Sequence, residues 1–130
     1  MRALVIDDSK TMRRIVSRVL VGLGYEVVEA ADGQQALDAL ADGPLPDLCC
    51  VDWNMPVMDG LTFVTHVRAN REWRGITLMM VTTESEHGQI VRALAAGAHE
   101  YLIKPFTADA LREKLDLLGL VPAPVAGTPA

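Results

Sequence analysis

The chain alternates short apolar runs with longer amphipathic segments, and this alternation constrains its fold more than any other feature. The apolar runs predict strands at residues 3–6, 25–29, 47–51, 76–81 and 99–103. The amphipathic segments have helical spacing and predict helices at residues 10–23, 33–41, 60–69, 85–96 and 107–118. Five strand-helix units predict an α/β fold, in which a doubly wound, five-stranded parallel sheet is covered by helices on both faces.

Polar residues and glycines mark the ends of several predicted helices. Asp32 and Asp59 precede the second and third helices as N-cap residues, because an aspartate side chain accepts hydrogen bonds from the first free N–H groups. Gly24 and Gly97 follow the first and fourth helices, where a residue with positive φ ends the helix. These signals support the predicted helix boundaries.

The length and composition of the chain favour one domain. Half of its 130 residues are apolar, which suffices for a continuous core without disulfides. We assign residues 1–119 to this domain. Residues 120–130 are rich in proline and alanine and have no helical or strand period, so we expect a flexible tail there.

Charge and cysteine content exclude several classes of protein. The net charge of −5 argues against nucleic-acid binding, which depends on clustered lysine and arginine. The two cysteines, Cys49 and Cys50, are adjacent, a spacing that suits neither a disulfide framework nor a zinc site and indicates core packing. No apolar run has the length of a signal peptide core or a membrane span, so we expect a cytoplasmic protein without membrane insertion.

Polar side chains follow four of the five predicted strands, where the binding sites of open parallel sheets lie. They are Asp7 and Asp8 after strand one, Asp52 after strand three, Thr82 and Thr83 after strand four, and Lys104 after strand five. Three neighbouring carboxylates repel one another unless a cation neutralises them. Because all potential ligands are oxygen atoms, Mg²⁺ is the expected metal, and its preference for phosphate oxygens indicates phosphoryl chemistry.

The motifs themselves resemble a known family, the receiver domain of two-component response regulators. The matching residues are Asp7-Asp8, the segment from Asp52 to Gly60, Val81-Thr82 and Lys104-Pro105-Phe106, and the similarity extends over residues 3–118. Within the family, the Ser9–Val16 segment and the sequence around Asp52 are most similar to stand-alone chemotaxis regulators. The resemblance implies a flavodoxin-like (βα)5 fold with the strand order 2-1-3-4-5, an order that is known for the chemotaxis type.

The resemblance also implies a role for each residue of the site. Asp52 is the expected phosphoacceptor, and the expected Mg²⁺ ligands are Asp8, Asp52 and the backbone carbonyl of Asn54, with Asp7 acting through water. Thr82 and Lys104 would bind phosphoryl oxygens, while Asn54 and Glu84 would tune dephosphorylation. Tyr101 would move inward as part of the switch, although the residue alone reads as half-buried packing. A cis Lys104–Pro105 bond is also implied.

The function implied by the resemblance is a phosphorylation switch rather than a conventional enzyme. The receiver takes a phosphoryl group from a sensor histidine kinase, or from a small phosphodonor, and hydrolyses it in the same site. Expected partners are that kinase, an output protein such as the flagellar motor switch, and a phosphatase. Alternatives are a phosphate sink, a relay carrier or a regulator of another pathway, and more remotely a metal-dependent phosphatase on the same fold.

The first helix has a basic face formed by Arg13, Arg14 and Arg18. Such charges normally lie in solvent. In receivers the same helix also meets the kinase, so the resemblance adds a docking role to this face.

Overall fold

A computed structural model describes residues 1–83 and 87–120 of the chain. The strands are β1 (Arg2–Ile6), β2 (Glu26–Ala30), β3 (Leu48–Val51), β4 (Thr77–Thr82) and β5 (Glu100–Ile103). The helices are α1 (Lys10–Gly22), α2 (Gly33–Asp42), α3 (Gly60–Ala69), α4 (His87–Ala96) and α5 (Ala108–Leu117). Strands and helices therefore alternate along the chain as the sequence pattern predicted.

The five strands form one parallel sheet with the order β2-β1-β3-β4-β5. Strand β1 lies between β2 and β3, and its last residue, Ile6, is in register with Ala30 on one side and Val51 on the other. The chain therefore reverses its direction of winding at β1, which places the ends of β1 and β3 side by side. This architecture confirms the predicted fold class and strand order.

Alternate side chains of the central strands contribute to two apolar cores, one on each face of the sheet. Leu4 and Ile6 face the core shared with α2, α3 and α4, whereas Ala3 and Val5 face the core shared with α1 and α5. Cys49 and Cys50 are divided between these two cores in the same way. Burial raises the pKa of Cys50 to about 12, so its thiol stays protonated and serves as core packing.

The predicted helix boundaries are confirmed at the four marked positions. The Oδ1 atoms of Asp32 and Asp59 each accept a hydrogen bond from a backbone N–H at 2.8 Å. Gly24 and Gly97 have φ values of 101° and 120°, a region that favours glycine.

Two parts of the secondary structure differ from the prediction or fall outside it. A short 3₁₀ turn at Arg71–Trp73 was not predicted, because one turn has no detectable period. Helix α4 is described from His87, and Ser85, at the predicted start, lies outside the described residues.

Arg68 connects the amino-terminal ends of β4 and β5, an arrangement that the sequence did not indicate. Its guanidinium donates to the backbone carbonyls of Gly97 and Ile76, both at 2.9 Å, and lies 3.1 Å from Nδ1 of His99. The same Nδ1 accepts a hydrogen bond from the backbone N–H of Leu78. Desolvation and the adjacent guanidinium lower the pKa of His99, which favours the neutral ring that this acceptor role requires.

The last described residue still belongs to the packed domain. Leu120 packs against the core on the α1 and α5 side, and its carbonyl accepts a hydrogen bond from the Tyr25 hydroxyl. The rest of the predicted tail, residues 121–130, lies outside the described residues. Within the described ranges, no helix is long and apolar enough to cross a membrane.

Gly60, the first residue of α3, allows this helix to begin directly above the end of β3. A Cβ atom at this position would lie 2.5 Å from the Asp52 carbonyl oxygen and 2.8 Å from Cε of Met80. The backbone N–H of Gly60 also donates to the Trp53 carbonyl at 2.9 Å. Only a residue without a side chain permits this close approach, so Gly60 sets the distance between α3 and Asp52.

We predict that Gly60→Ala destabilises the protein by about 1–3 kcal/mol, because backbone atoms on the crowded side cannot yield without moving β3. Urea unfolding of the purified variant measures the change. Gly22→Ala is the matched control, since its added methyl group meets open space at the end of α1. The control should be neutral or more stable by up to about 1 kcal/mol. Equal stability of the two variants would contradict the steric argument.

Candidate functional site

The carboxyl ends of β1 and β3 bring two aspartates next to each other. The backbone N–H of Asp52 donates to the carbonyl of Ile6 at 2.9 Å, and the N–H of Asp7 donates to the carbonyl of Ala30 at 3.2 Å. The sheet ladder thus continues one residue beyond each strand, and it fixes the backbone from which both carboxylates project. The site is therefore built on the rigid centre of the sheet.

Asp7, Asp8 and Asp52 form a cluster in which one carboxylate oxygen of each lies within 4.8 Å of the others. Asp7 and Asp52 are buried, with 3% and 7% of their surface exposed, whereas Asp8 is exposed at the rim. Two carboxylates of the cluster are therefore desolvated, and the third is open to solvent. Like charges this close are costly unless a positive charge compensates them.

Lys104 supplies part of that compensation from the end of β5. Its Nζ lies 2.7 Å from Oδ2 of Asp7 and 3.5 Å from Oδ1 of Asp52, and the lysine itself is only 8% exposed. The Lys104–Pro105 peptide bond is cis, as the resemblance implied. A buried ammonium is retained at this depth because it is paired with carboxylates.

Thr82 is the last residue of β4 and is buried at the same edge. Its carbonyl accepts a hydrogen bond of 2.6 Å from the backbone N–H of Lys104. Thr82 and Lys104 thus occupy neighbouring strand ends, which places a hydroxyl group and an ammonium group on one side of the cluster. Thr83, the next residue, is exposed.

The two aspartates that follow β1 have different hydrogen-bond environments. Oδ1 of Asp7 accepts from the backbone N–H of Ser9 at 2.9 Å, and Oδ2 accepts from Lys104. Both of its oxygens are therefore engaged within the protein. Asp8, by contrast, is exposed to solvent.

The surroundings of Asp52 raise its proton affinity. Desolvation by burial, together with the charge of Asp7, raises its pKa from the ordinary 3.8 to about 6. The ammonium of Lys104 acts in the opposite direction, and Asp8 adds a further increase. The charged form of Asp52 is therefore held at a free-energy cost that a bound cation would relieve.

Two residues that support the site were not assigned this role from the sequence. Ser9 is the N-cap of α1, where its Oγ accepts from the Met12 N–H at 3.3 Å. Arg13 donates to the backbone carbonyl of Asp7 at 2.7 Å and forms an ion pair with Glu29 at 3.3 Å. The expectation that Arg13 belongs to a solvated face was therefore wrong, because the side chain bends back onto the end of β1. The N-cap role of Ser9 could have been predicted, because a serine directly before a helical segment is a typical N-cap. The direction of the Arg13 side chain depends on the fold.

The remaining predicted residues lie around this centre or outside the described part of the chain. Asn54 is exposed in the loop that follows β3. Tyr101 is half-buried on β5, the edge strand of the sheet. Glu84 lies outside the described residues.

The chemistry of the cluster fits a hard divalent cation. The donors are carboxylate oxygens, and three carboxylates with one ammonium leave a negative charge that one divalent ion would neutralise. Asp8 and Asp52 could supply direct ligands, since both oxygens of Asp7 are already engaged. An anionic ligand held by the same ion would lie near Lys104 and Thr82.

Nearly the whole chain is similar to known proteins. The family model for the response regulator receiver domain matches residues 3–116. A chemotaxis protein CheY homolog from Campylobacter jejuni is 45% identical over 121 residues, which cover 92% of this chain and 93% of the relative. The chemotaxis protein CheY1 from Helicobacter pylori strain J99 is 44% identical over 119 residues, or 91% and 96% of the two chains.

Solved structures share the fold. The chemotaxis protein CheY4 from Vibrio cholerae matches with a TM-score of 0.83 and 37% identity, covering 89% of this chain and 96% of that one. The receiver domain of a sensor histidine kinase from Pseudomonas aeruginosa matches with a TM-score of 0.80 and 28% identity over 89% and 94% of the chains. A magnesium ion is coordinated in the active site cleft of that domain.

We predict that Asp52→Asn is more stable than the native chain by about 1–3 kcal/mol at pH 7.5 in metal-free buffer. Because the pKa of Asp52 is about 6 in the folded chain and about 3.8 when unfolded, folding opposes ionisation. This cost is fully present above pH 6 and is lost as the pH falls from 6 towards 4, where the folded state binds the proton first.

Urea unfolding with a chelator between pH 4.5 and 7.5 measures this difference. Asp38→Asn, at an exposed position on α2, is the matched control and should change stability by less than about 0.5 kcal/mol. The advantage of Asp52→Asn should shrink as the pH falls. An asparagine variant no more stable than the native chain at pH 7.5 would contradict the assigned cost.

Proposed function

Because the chain belongs to the response regulator receiver family, whose members accept phosphoryl groups in two-component signalling, we propose that it is a single-domain receiver phosphorylated on Asp52. The observation that supports this proposal is the cluster of Asp7, Asp8 and Asp52, in which the Lys104 ammonium lies 3.5 Å from Asp52, while the choice of Asp52 as phosphoacceptor follows the family. With a pKa of about 6, Asp52 is mostly ionised at neutral pH even before a cation binds, so its carboxylate oxygens are available for nucleophilic attack.

The proposed reaction is an in-line transfer from a phosphohistidine of a sensor histidine kinase. An Asp52 carboxylate oxygen forms the new P–O bond while the P–N bond breaks, and the histidine nitrogen keeps the electron pair. Water later attacks the phosphorus, the P–O bond breaks, and inorganic phosphate leaves. Small phosphodonors would use the same geometry, so the chain would catalyse its own phosphorylation and dephosphorylation without being a conventional enzyme.

Residues around Asp52 have separate roles in this proposal. The Lys104 ammonium, 3.5 Å from Asp52, attracts the incoming phosphoryl group, and the Thr82 hydroxyl donates to one of its oxygens. Asp8, Asp52 and the backbone carbonyl of Asn54 would hold Mg²⁺, with Asp7 acting through water. When bound, this ion supplies charge neutralisation between the carboxylates and the phosphoryl oxygens.

Two further roles concern the phosphorylated state. We infer that Asn54 and Glu84 control access of the hydrolytic water, so that exchanging either residue should change the decay rate of phospho-Asp52. Tyr101 would move inward when Thr82 engages the phosphoryl group. Its place on the edge strand β5, beside α5, favours a change of the surface formed by α4, β5 and α5.

The output we propose is chemotaxis, through a protein-protein contact at the flagellar motor switch. Similarity to chemotaxis proteins over about nine-tenths of the chain supports this pathway. A phosphatase is an additional proposed partner. The proposal places the receiver in the cytoplasm, with Leu120 packed on the domain predicted at residues 1–119 and with residues 121–130 as an appended tail.

The central prediction is that Mg²⁺ and beryllofluoride together change the fluorescence of Trp53, which adjoins Asp52 and is buried. The native chain should respond in proportion to the mimic only when Mg²⁺ is present, because the fluoride ligands need a neutralised site. Asp52→Asn should not respond to the mimic. Titrations in a Trp73→Phe background restrict the signal to Trp53, since these are the two tryptophans of the chain.

The matched control is Asp38→Asn, which removes one exposed carboxylate far from the cluster in sequence and should titrate like the native chain. Identical responses of native and Asp52→Asn protein would refute the phosphoacceptor assignment. A response that does not depend on Mg²⁺ would refute the metal requirement.

The proposed output can be tested separately. The beryllofluoride-activated chain should bind a purified flagellar switch protein at least about fivefold more tightly than the unactivated chain, as expected for a coupling free energy of about 1–3 kcal/mol. Isothermal titration calorimetry measures both affinities. A native chain that accepts the mimic but shows no difference in binding would favour the phosphate-sink, relay or other-pathway alternatives.

A further inference from the structure

Lys114, on α5, forms a contact with two consecutive residues of β5. Its Nζ lies 3.2 Å from Oε1 of Glu100 and 5.0 Å from the centroid of the Tyr101 ring. The lysine and glutamate side chains are partly buried, with 28% and 21% of their surface exposed. The ammonium therefore lies against the ring in a setting where water screens it less than at an open surface.

Glu100 is itself held in place beside the ring. The same Oε1 atom that accepts from Lys114 also accepts a hydrogen bond of 2.9 Å from the backbone N–H of Tyr101. One carboxylate thus connects the backbone of the aromatic residue with the cation that contacts its ring. Glu100 therefore holds the ammonium beside the present position of the ring.

We propose that Glu100 and Lys114 form a latch that restrains the inward movement of Tyr101, and so set the sensitivity of the switch. The inference rests on the proposed function, in which phosphorylation of Asp52 is coupled to that movement. The half-buried ring packs on the core below and contacts the tethered ammonium. Moving the ring inward breaks the second contact without a replacement, so the latch favours the present position.

Because the position of the ring and ligand binding at Asp52 are thermodynamically linked, the restraint can be measured as a change in ligand affinity. Any contact that favours one position of the ring must weaken binding of a ligand that favours the other position, by the same factor. Lys114 and Glu100 are therefore positioning residues, which act on phosphoryl-mimic affinity through Tyr101. Binding of Mg²⁺ alone, which needs no movement of the ring, should be unaffected.

The test compares beryllofluoride affinities of the native chain, Lys114→Met and Glu100→Gln at saturating Mg²⁺, using Trp53 fluorescence. Lys114→Met should bind the mimic about fivefold more tightly, the size expected for losing one cation–π contact at a partly exposed site, and Glu100→Gln should change the affinity in the same direction by up to that factor. The double variant should gain no more than Lys114→Met alone, because Glu100 acts only by holding the ammonium that Lys114 supplies. Arg112→Met, which removes an exposed cation from the same helix, is the matched control and should leave the affinity unchanged.

Two further measurements separate the latch from a general effect on the fold. Thermal unfolding should place all variants close to the native chain, and Mg²⁺ titration without the mimic should give one common affinity. Native-like mimic affinity in Lys114→Met and Glu100→Gln, with a normal native response and a silent Asp52→Asn, would overturn the latch alone. A native chain that does not bind the mimic at all would overturn the proposed function, and the latch with it.

Discussion

A lysine ammonium buried between two aspartates holds together the edge of the sheet on which the site is built. Lys104 reaches Asp7 across 97 positions of sequence at 2.7 Å, and the same ammonium lies 3.5 Å from Asp52. Desolvating a single ion costs several kcal/mol, so charges at this depth need partners of the opposite sign. The Lys104 ammonium is the partner of both carboxylates, so the ends of β1, β3 and β5 depend on one another.

Because the three strand ends share these charges, a ligand that binds at one of them would affect the others. The cluster keeps Asp52 at a raised pKa, which is a free-energy cost in the folded state. In the proposed function, a cation and a phosphoryl group would both alter the balance of charge at Lys104. The backbone N–H of Lys104 donates a hydrogen bond to the carbonyl of Thr82. A ligand bound by either side chain would therefore act on the adjacent ends of both β4 and β5.

The contacts of β5 connect the site with the surface of the protein. Tyr101 is in register with Met80 of β4 on one side, and its ring meets Lys114 of α5. The residue therefore connects a strand that ends in the site with a helix that faces solvent. Arg68 has a comparable role at the opposite end of the sheet, where it joins α3 to the starts of β4 and β5 without any charged partner in the site. The first contact belongs to the proposed switch and the second to the framework.

The sequence by itself determined the parallel α/β class, the places where polar residues follow the strands, and the helix caps at Asp32 and Asp59, because these follow from local periodicity and hydrogen bonding. The resemblance supplied the strand order and the choice of Asp52 as phosphoacceptor. Only the tertiary structure decided the direction of individual side chains, which depends on neighbours distant in sequence. Arg13 turns onto Asp7, and Lys114 lies between Glu100 and Tyr101. Periodicity assigns a residue to one face of a helix, but the contact made there depends on what the fold places opposite it.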